Sequence, residues 1–279
     1  MNIFQTFQKK KDFLICIDSD GCAMDTMDIK HIRCFGPCMV TEWNLDEWRE
    51  PILKRWNDIN LYTMTRGINR FKGLVTALLE INDTYCPIED LDSLVQWVGQ
   101  TDELSNASLQ RAIDSTGSIS LKKALAWSVS VNQAITALPE ESVKPFPGVK
   151  EALALAHRYA DVAIVSSANL EAVTAEWEKF GLMEDVDIVL TQNIGSKAFC
   201  IGQMLECGYS PDHVLMAGDA PGDRDAAASN QVLYYPILVR KEETSWKEFS
   251  ETALHNFLQG TYKGEYEQQK VAAFIENLS

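Results

Sequence analysis

Phe13-Leu14-Ile15-Cys16-Ile17-Asp18-Ser19-Asp20-Gly21 is the stretch that decides the fold of this chain. Five apolar residues run straight into two aspartates one residue apart, and a glycine closes the stretch. An apolar run of this length, bounded by turn residues, predicts a buried strand over Phe13–Ile17 that ends in a loop. Its unbroken apolar character suits the middle of a parallel sheet covered on both faces. Asp18 and Asp20 are then expected at the carboxyl end of that strand, where open α/β sheets place their ligands. Two carboxylates this close repel each other unless a cation or a shared proton lies between them. Surface Asp-x-Asp pairs are common and inert, so the pair needs support from elsewhere in the chain.

Three further junctions supply it. His213–Ala217 reads as a short strand, followed at once by Gly218-Asp219-Ala220-Pro221-Gly222-Asp223. Gly218 and Gly222 permit backbone geometry that a Cβ resists. Asp219 and Asp223 stand four residues apart, on one side of a loop entering a helix expected near Arg224. Helix capping is the plainer reading of such acids; it suits Asp225, but Asp219 sits at the strand end. Asp161–Val165 is another strand, ending in Ser166-Ser167-Ala168-Asn169 ahead of a helical segment. Hydroxyls and free amides at a strand-to-helix turn make an anion site. A strand over Val186–Leu190 leads to Gly195-Ser196-Lys197, which opens another helix. Lysine at a helix start opposes the helix dipole, which hints at another purpose for Lys197. Singly, Ser166 reads as a capping serine and Lys197 as a solvated lysine; their order relative to the aspartates raises both.

That order resembles the haloacid dehalogenase superfamily of phosphohydrolases. The first motif, Asp18-Ser19-Asp20-Gly21-Cys22-Ala23-Met24-Asp25-Thr26, is similar to the family pattern Asp-x-Asp-Gly-Thr-Leu-x-Asp-Ser. Ser166 stands for the second motif, Lys197 for the third, and Gly218-Asp219 with Asp223 for the fourth. Cys22 departs from the usual Thr or Val, at a position that mainly shapes the turn. The resemblance covers about residues 10–30 and 145–240. It implies an α/β fold: a Rossmann-like parallel sheet core with an inserted, mostly helical cap after the first motif. The expected core is residues 1–29 and 145–279, with a helical extension from about residue 240, and the expected cap is residues 30–144.

The resemblance also implies a chemistry. Asp18 would be the nucleophile that forms an aspartyl-phosphate, and Asp20 the acid and then the base that serves the leaving group and water. Ser166 and Lys197 would hold the phosphoryl oxygens, helped by Gly21, Ser167, Ala168 and Asn169. Mg²⁺ is the implied cofactor, since hard oxygen ligands suit it. Asp18, Asp219 and the main-chain carbonyl of Asp20 would bind it, and Asp223 directly or at one remove. The expected activity is a Mg²⁺-dependent phosphatase acting on a small phosphorylated metabolite. A phosphomutase or phosphotransferase of the same superfamily is the alternative. A non-catalytic binding protein on this fold is a third reading, opposed by the retention of mutually repelling acids.

Composition agrees with this reading without specifying it. A chain of 279 residues allows one to two domains and a full core. No stretch approaches ~20 consecutive apolar residues, so no membrane partner is expected. The N-terminal segment lacks the apolar region of a secretory signal. Seven cysteines, an odd number without framework spacing, suggest thiols in a reducing cytoplasm. His31, Cys34 and Cys38 have no complementary cluster that would make a zinc site. A net charge of −15 argues against nucleic acid as a partner. A monomer and a homodimer are both open, and Lys9, Lys10 and Lys11 read as a solvated edge.

About 120 residues separate the first motif from the strand before Ser166, far more than a βα connection needs. Their pattern is helical. Asn44 and Glu47 suggest a capping box, with Leu45, Trp48, Ile52, Trp56 and Ile59 following at helical spacing. Ile68, Phe71, Val75 and Leu78 predict another helix, and Leu121, Leu125, Ser128, Val131 and Ile135 a late one. The stripe Trp48, Ile52, Trp56 is expected in the core. Arg66, Arg70 and Lys72 form a local basic cluster, either a solvated face or, for Arg66 and Arg70, the contact for a substrate's distal anion. Trp246, Phe249, Leu254, Phe257 and Leu258 predict helices packed on the core.

Overall fold

In the computed structural model, which describes residues 3–279, the chain divides into two compact units. The described residues up to Met27 join Val143–Ser279 in one, and Asp28–Ser142 forms the other.

The first unit is built on five parallel strands, β1 (Phe13–Ile17), β2 (Ala160–Val165), β3 (Ile188–Leu190), β4 (Val214–Gly218) and β5 (Leu233–Pro236). Their order across the sheet is β3-β2-β1-β4-β5. The strand expected over Phe13–Ile17 therefore lies at the centre, with Leu14 through Ile17 fully buried. Ile15 pairs with Val162 on one side and Leu215 on the other; Ile17 pairs with Ile164 and Ala217. These residues share one face of the sheet and join one core cluster with Val149, Val173, Trp177, Trp246, Phe249 and Phe257. The expected burial of the C-terminal apolar residues is thus met: Trp246, Phe249 and Phe257 are sealed from solvent. Strand order reverses direction between β1 and β4, and crevices at such switch points are where this architecture binds ligands.

Several boundaries differ from expectation for physical reasons. β3 is shorter than Val186–Leu190, because Asp187 turns its carboxylate onto the Val162 amide at 2.9 Å. β4 runs one residue later than expected, since Pro211–His213 forms a 3-10 turn. β5 was not anticipated; its Leu-Tyr-Tyr-Pro run is short, and Pro236 is tolerated because the strand lies at the sheet edge. Lys9, Lys10 and Lys11 are more than a solvated edge. The amides of Lys10 and Lys11 donate to Asp161 Oδ2 at 2.9 and 3.0 Å, and Lys10 Nζ meets Asp187 Oδ1 at 2.8 Å. Asp161 is fully buried on β2, and such a carboxylate requires donors.

The second unit is helical. Arg49–Asn57, Arg70–Thr84, Leu91–Gln100, Asn106–Thr116 and Ile119–Thr136 surround a core holding Ile52, Trp56, Phe71, Trp97 and Trp127. Ile52 and Trp56 are buried as expected, while Trp48 is half-buried. The Asn44–Glu47 capping box does not form: Asn44 is left-handed at φ 55°, and a 3-10 turn over Asp46–Trp48 precedes the helix. Asn69 caps Arg70–Thr84 instead, its side chain accepting from the Phe71 amide, which leaves Ile68 outside that helix. The seven cysteines are free thiols. Among the described residues no helix is long and apolar enough to cross a membrane.

Candidate active site

Asp18 and Asp219 each follow directly from a strand end. Asp18 continues from β1, its amide donating to the Ala217 carbonyl at 3.0 Å. The next residues turn sharply: the Ser19 carbonyl accepts from the amides of Cys22, Ala23 and Met24, and Gly21 takes φ 82°. Glycine suits this left-handed position, where a Cβ brings strain. Asp18 is almost wholly buried, and its Oδ1 accepts from the Ser19 amide at 2.8 Å. Asp20 is half-buried, and Thr26 Oγ1 donates to its Oδ1.

Asp219 follows β4 and is fully buried. The next helix begins at Pro221, earlier than the Arg224 expected, so Asp223 falls in its first turn. The capping role assigned to Asp225 belongs to Asp223, whose Oδ2 accepts from the Ala220 amide at 3.0 Å; Asp225 is exposed beside Arg224. Ligand oxygens of Asp18, Asp219 and Asp223 lie within 4.8 Å of one another, all three residues being buried.

Lys197 meets this group. It is the first residue of the helix Lys197–Glu206, whose N-cap Ser196 accepts from the Phe199 amide. Its Nζ lies 2.9 Å from Asp18 Oδ1 and 2.5 Å from Asp223 Oδ1. Burial opposes the Lys197 charge, but the adjoining Asp18 and Asp223 carboxylates overcome it and hold the ammonium above the ordinary lysine value. Burial pushes the Asp18 carboxyl up to about 7; Lys197 opposes the rise and Asp223 adds to it. Asp223 is raised likewise, by burial first, with Lys197 opposing and Asp219 contributing. Burial and mutual repulsion weigh on these carboxylates despite the ammonium, and that set of hard oxygens fits a divalent cation.

Ser166 lies at the carboxyl end of β2, two residues past the Ile17–Ile164 pair, next to the strand that delivers Asp18. It is buried, and its Oγ accepts from the Ala168 amide at 3.2 Å. Ser167 is exposed and Ala168 half-buried. Asn169 caps the helix Leu170–Lys179, its Oδ1 accepting from the Ala172 amide at 2.8 Å.

The basic cluster of the second unit is less solvated than expected. Arg66 is buried, donates to the Leu61 carbonyl at 2.8 Å and lies 3.8 Å from Asp28. Arg70 is half-buried over the Phe35 ring, with NH1 donating to Ser128 Oγ and to Asn132 Oδ1 at 3.1 and 2.8 Å. Lys72 alone is exposed.

Four contributors were missed in the sequence. Thr26 stood within the first motif, so its bond to Asp20 had a signal. Trp177 Nε1 donates to Ser19 Oγ, Trp246 Nε1 to the Cys22 carbonyl, and Tyr234 OH to the Gly218 carbonyl, each at 2.9 Å. No local pattern marks these three.

The profile described as haloacid dehalogenase-like hydrolase matches residues 90–235, just over half of the chain. The chain belongs to this family. The matched range holds Ser166, Lys197, Asp219 and Asp223, while the loop carrying Asp18 and Asp20 lies before it. Among solved structures the chain is similar to one named as a putative phosphoglycolate phosphatase from Lactobacillus delbrueckii subsp. bulgaricus. Identity is 14% and the TM-score 0.52, over 91% of this chain and 100% of that one. It is also similar to a haloacid dehalogenase-like family hydrolase from Streptococcus pneumoniae, at 12% identity and a TM-score of 0.44, over 86% and 91% of the two chains. The likeness to the Lactobacillus protein, at 14% identity, speaks for the fold alone. No curated protein matches the sequence.

Proposed function

We propose that this hydrolase is a Mg²⁺-dependent phosphatase of small phosphorylated metabolites, working through an aspartyl-phosphate on Asp18. The observation that carries the reading is the Lys197 ammonium set between Asp18 and Asp223, with Asp219 completing the acid group.

Asp18, Asp219 and the Asp20 carbonyl would hold the cation, which when bound neutralises the acids and the charge on the phosphoryl oxygens. Asp223 has Lys197 on one oxygen and the Ala220 amide on the other, which supports a part in aiming Lys197 as well as in completing the metal group. Lys197 and the amides after Ser166 supply donors for the remaining phosphoryl oxygens.

Asp18 attacks phosphorus as the ester P–O bond breaks, and Asp20 gives its proton to the departing oxygen. Water then attacks the phosphorus of the aspartyl-phosphate while Asp20 takes a proton from it, releasing inorganic phosphate and restoring Asp18. Thr26 Oγ1 donates to Asp20 Oδ1, which supports a part in orienting that carboxylate.

In the helical unit, burial and the bond to the Leu61 carbonyl support a structural part for Arg66. Arg70 is the better candidate for a substrate's distal anion. Phosphate release from p-nitrophenyl phosphate with Mg²⁺, and from a panel of phosphorylated metabolites, tests the proposal. No release from any ester by metal-loaded protein would sink it.

A further inference from the structure

The stretch after β5 has no part in the chemistry proposed above, yet one of its side chains reaches the loop that carries Asp18 and Asp20. Trp246 lies in the helix Glu242–Glu248, 224 residues from Cys22 in sequence, and its indole N–H donates to the Cys22 carbonyl. Both residues are fully buried. Among the described residues no main-chain amide donates to that carbonyl. A buried carbonyl deprived of its donor is costly, so the indole answers a specific need of this turn.

The same turn is gripped at a second point. Trp177, fully buried in the helix Leu170–Lys179, donates to Ser19 Oγ at 2.9 Å. Ser19 separates the two acids, and its carbonyl receives the amides of Cys22, Ala23 and Met24. The turn is therefore closed on itself through Ser19 and tied to the core through Ser19 and Cys22.

We infer that Trp246 is a positioning residue, the group through which the C-terminal segment sets the direction in which Asp18 and Asp20 leave the end of β1. Trp177 holds the other end of the same turn. The catalytic consequence rests on the phosphatase reading; the anchoring itself does not. Displacing a reacting carboxylate by about 1 Å lowers turnover by up to about a hundredfold, so removing one N–H has a large effect without any lost packing.

The test replaces Trp246 by Phe, and separately by benzothienylalanine, an isostere that keeps the double ring and lacks the N–H. Phe249→Leu is the control, a change in the same cluster with no bond to the turn. With p-nitrophenyl phosphate, both Trp246 variants should lose about tenfold or more in kcat with KM unchanged within twofold. Their amides over residues 19–24 should exchange hydrogen faster than in the native protein. Phe249→Leu should lower the melting temperature while leaving kcat and that exchange unaltered. Native kcat and native exchange in the benzothienylalanine protein would overturn the inference, as would an equal fall in kcat for Phe249→Leu. If the unmodified protein turns over no ester, the phosphatase reading fails, and exchange over residues 19–24 still decides whether Trp246 anchors the turn.

Discussion

Gly218 and Asp223 touch so closely that a Cβ on the first would overlap the carboxylate of the second. The helix that begins at Pro221 folds Asp223 back over the end of β4, and only a residue without a side chain lets it reach Lys197. Gly218→Ala should push Asp223 off Lys197 and weaken Mg²⁺ activation by about tenfold to a hundredfold, the range for losing a group that supports metal ligands. Titration of phosphate release against Mg²⁺ measures this, and an unchanged activation constant would contradict it.

Chelation should abolish phosphate release, and added Mg²⁺ should restore it. Asp219→Asn keeps the shape of a buried ligand and deletes its charge, so it should raise the Mg²⁺ requirement sharply. Calorimetric titration with Mg²⁺ alone gives the same answer without any substrate. Native affinity in the variant would remove Asp219 from the ligand set.

The two acids of the first motif should fail in different ways. Asp18→Asn should be inert on every substrate. Asp20→Asn should still accept phosphate from p-nitrophenyl phosphate, whose leaving group needs no proton, and then stall. A burst of about one p-nitrophenol per site is expected, with the phosphate found by mass spectrometry on the peptide carrying Asp18. Thr26→Val removes the donor to Asp20 and should slow alkyl phosphates more than the nitrophenyl ester. Phosphate on any other residue would reassign the nucleophile.

Far from this chemistry, Asp187 makes a pH-dependent contribution to stability. Burial raises its pKa, but the bonds from Lys10 and the Val162 amide, with His157 nearby, hold it below the ordinary carboxylate value. A depressed folded pKa means that this stabilisation is present above the unfolded value, about pH 4, and is lost as pH falls below it. Lys10 is well exposed, so solvent screens its share. Asp187→Asn should destabilise by about 1 kcal/mol at pH 7, and urea unfolding at pH 3 should show a smaller difference. A constant difference at both pH values would refute the linkage.

Arg70→Ala should reduce turnover of substrates whose leaving group bears a second anion and spare p-nitrophenyl phosphate, because only the former draws on remote binding. Equal losses on both would make Arg70 structural, a part already suggested for Arg66 by its burial.

The features legible in the sequence were those in which function and local pattern coincide. β1 shows as an unbroken apolar run because both faces of a central parallel strand are covered, and Asp18 and Asp219 directly follow strand ends. Asp223 is harder to place from sequence: the helix starts at Pro221, ahead of the expected Arg224, and so takes Asp223 as its cap in place of Asp225. The basic cluster near Arg66 reads in sequence as a solvated face or a substrate contact, because burial of an arginine leaves no mark on its neighbours in sequence. Trp177, Trp246 and Tyr234 bond to groups 158, 224 and 16 residues away. No spacing rule announces such donors, since the sheet and its packed helices alone create the proximity.

The strand order has a consequence for how this protein is made. β1 is the first strand to be synthesised and the central one in the sheet, but its neighbours begin at Ala160 and Val214. The whole helical unit, Asp28–Ser142, comes between. At about 5–20 residues per second, an apolar strand followed by two acids waits roughly seven to thirty seconds for a partner. Pairings this distant in sequence close slowly. The helical unit has its own core and can fold during the delay, so refolding of the full chain should show an early helical phase, with the sheet and its site forming later.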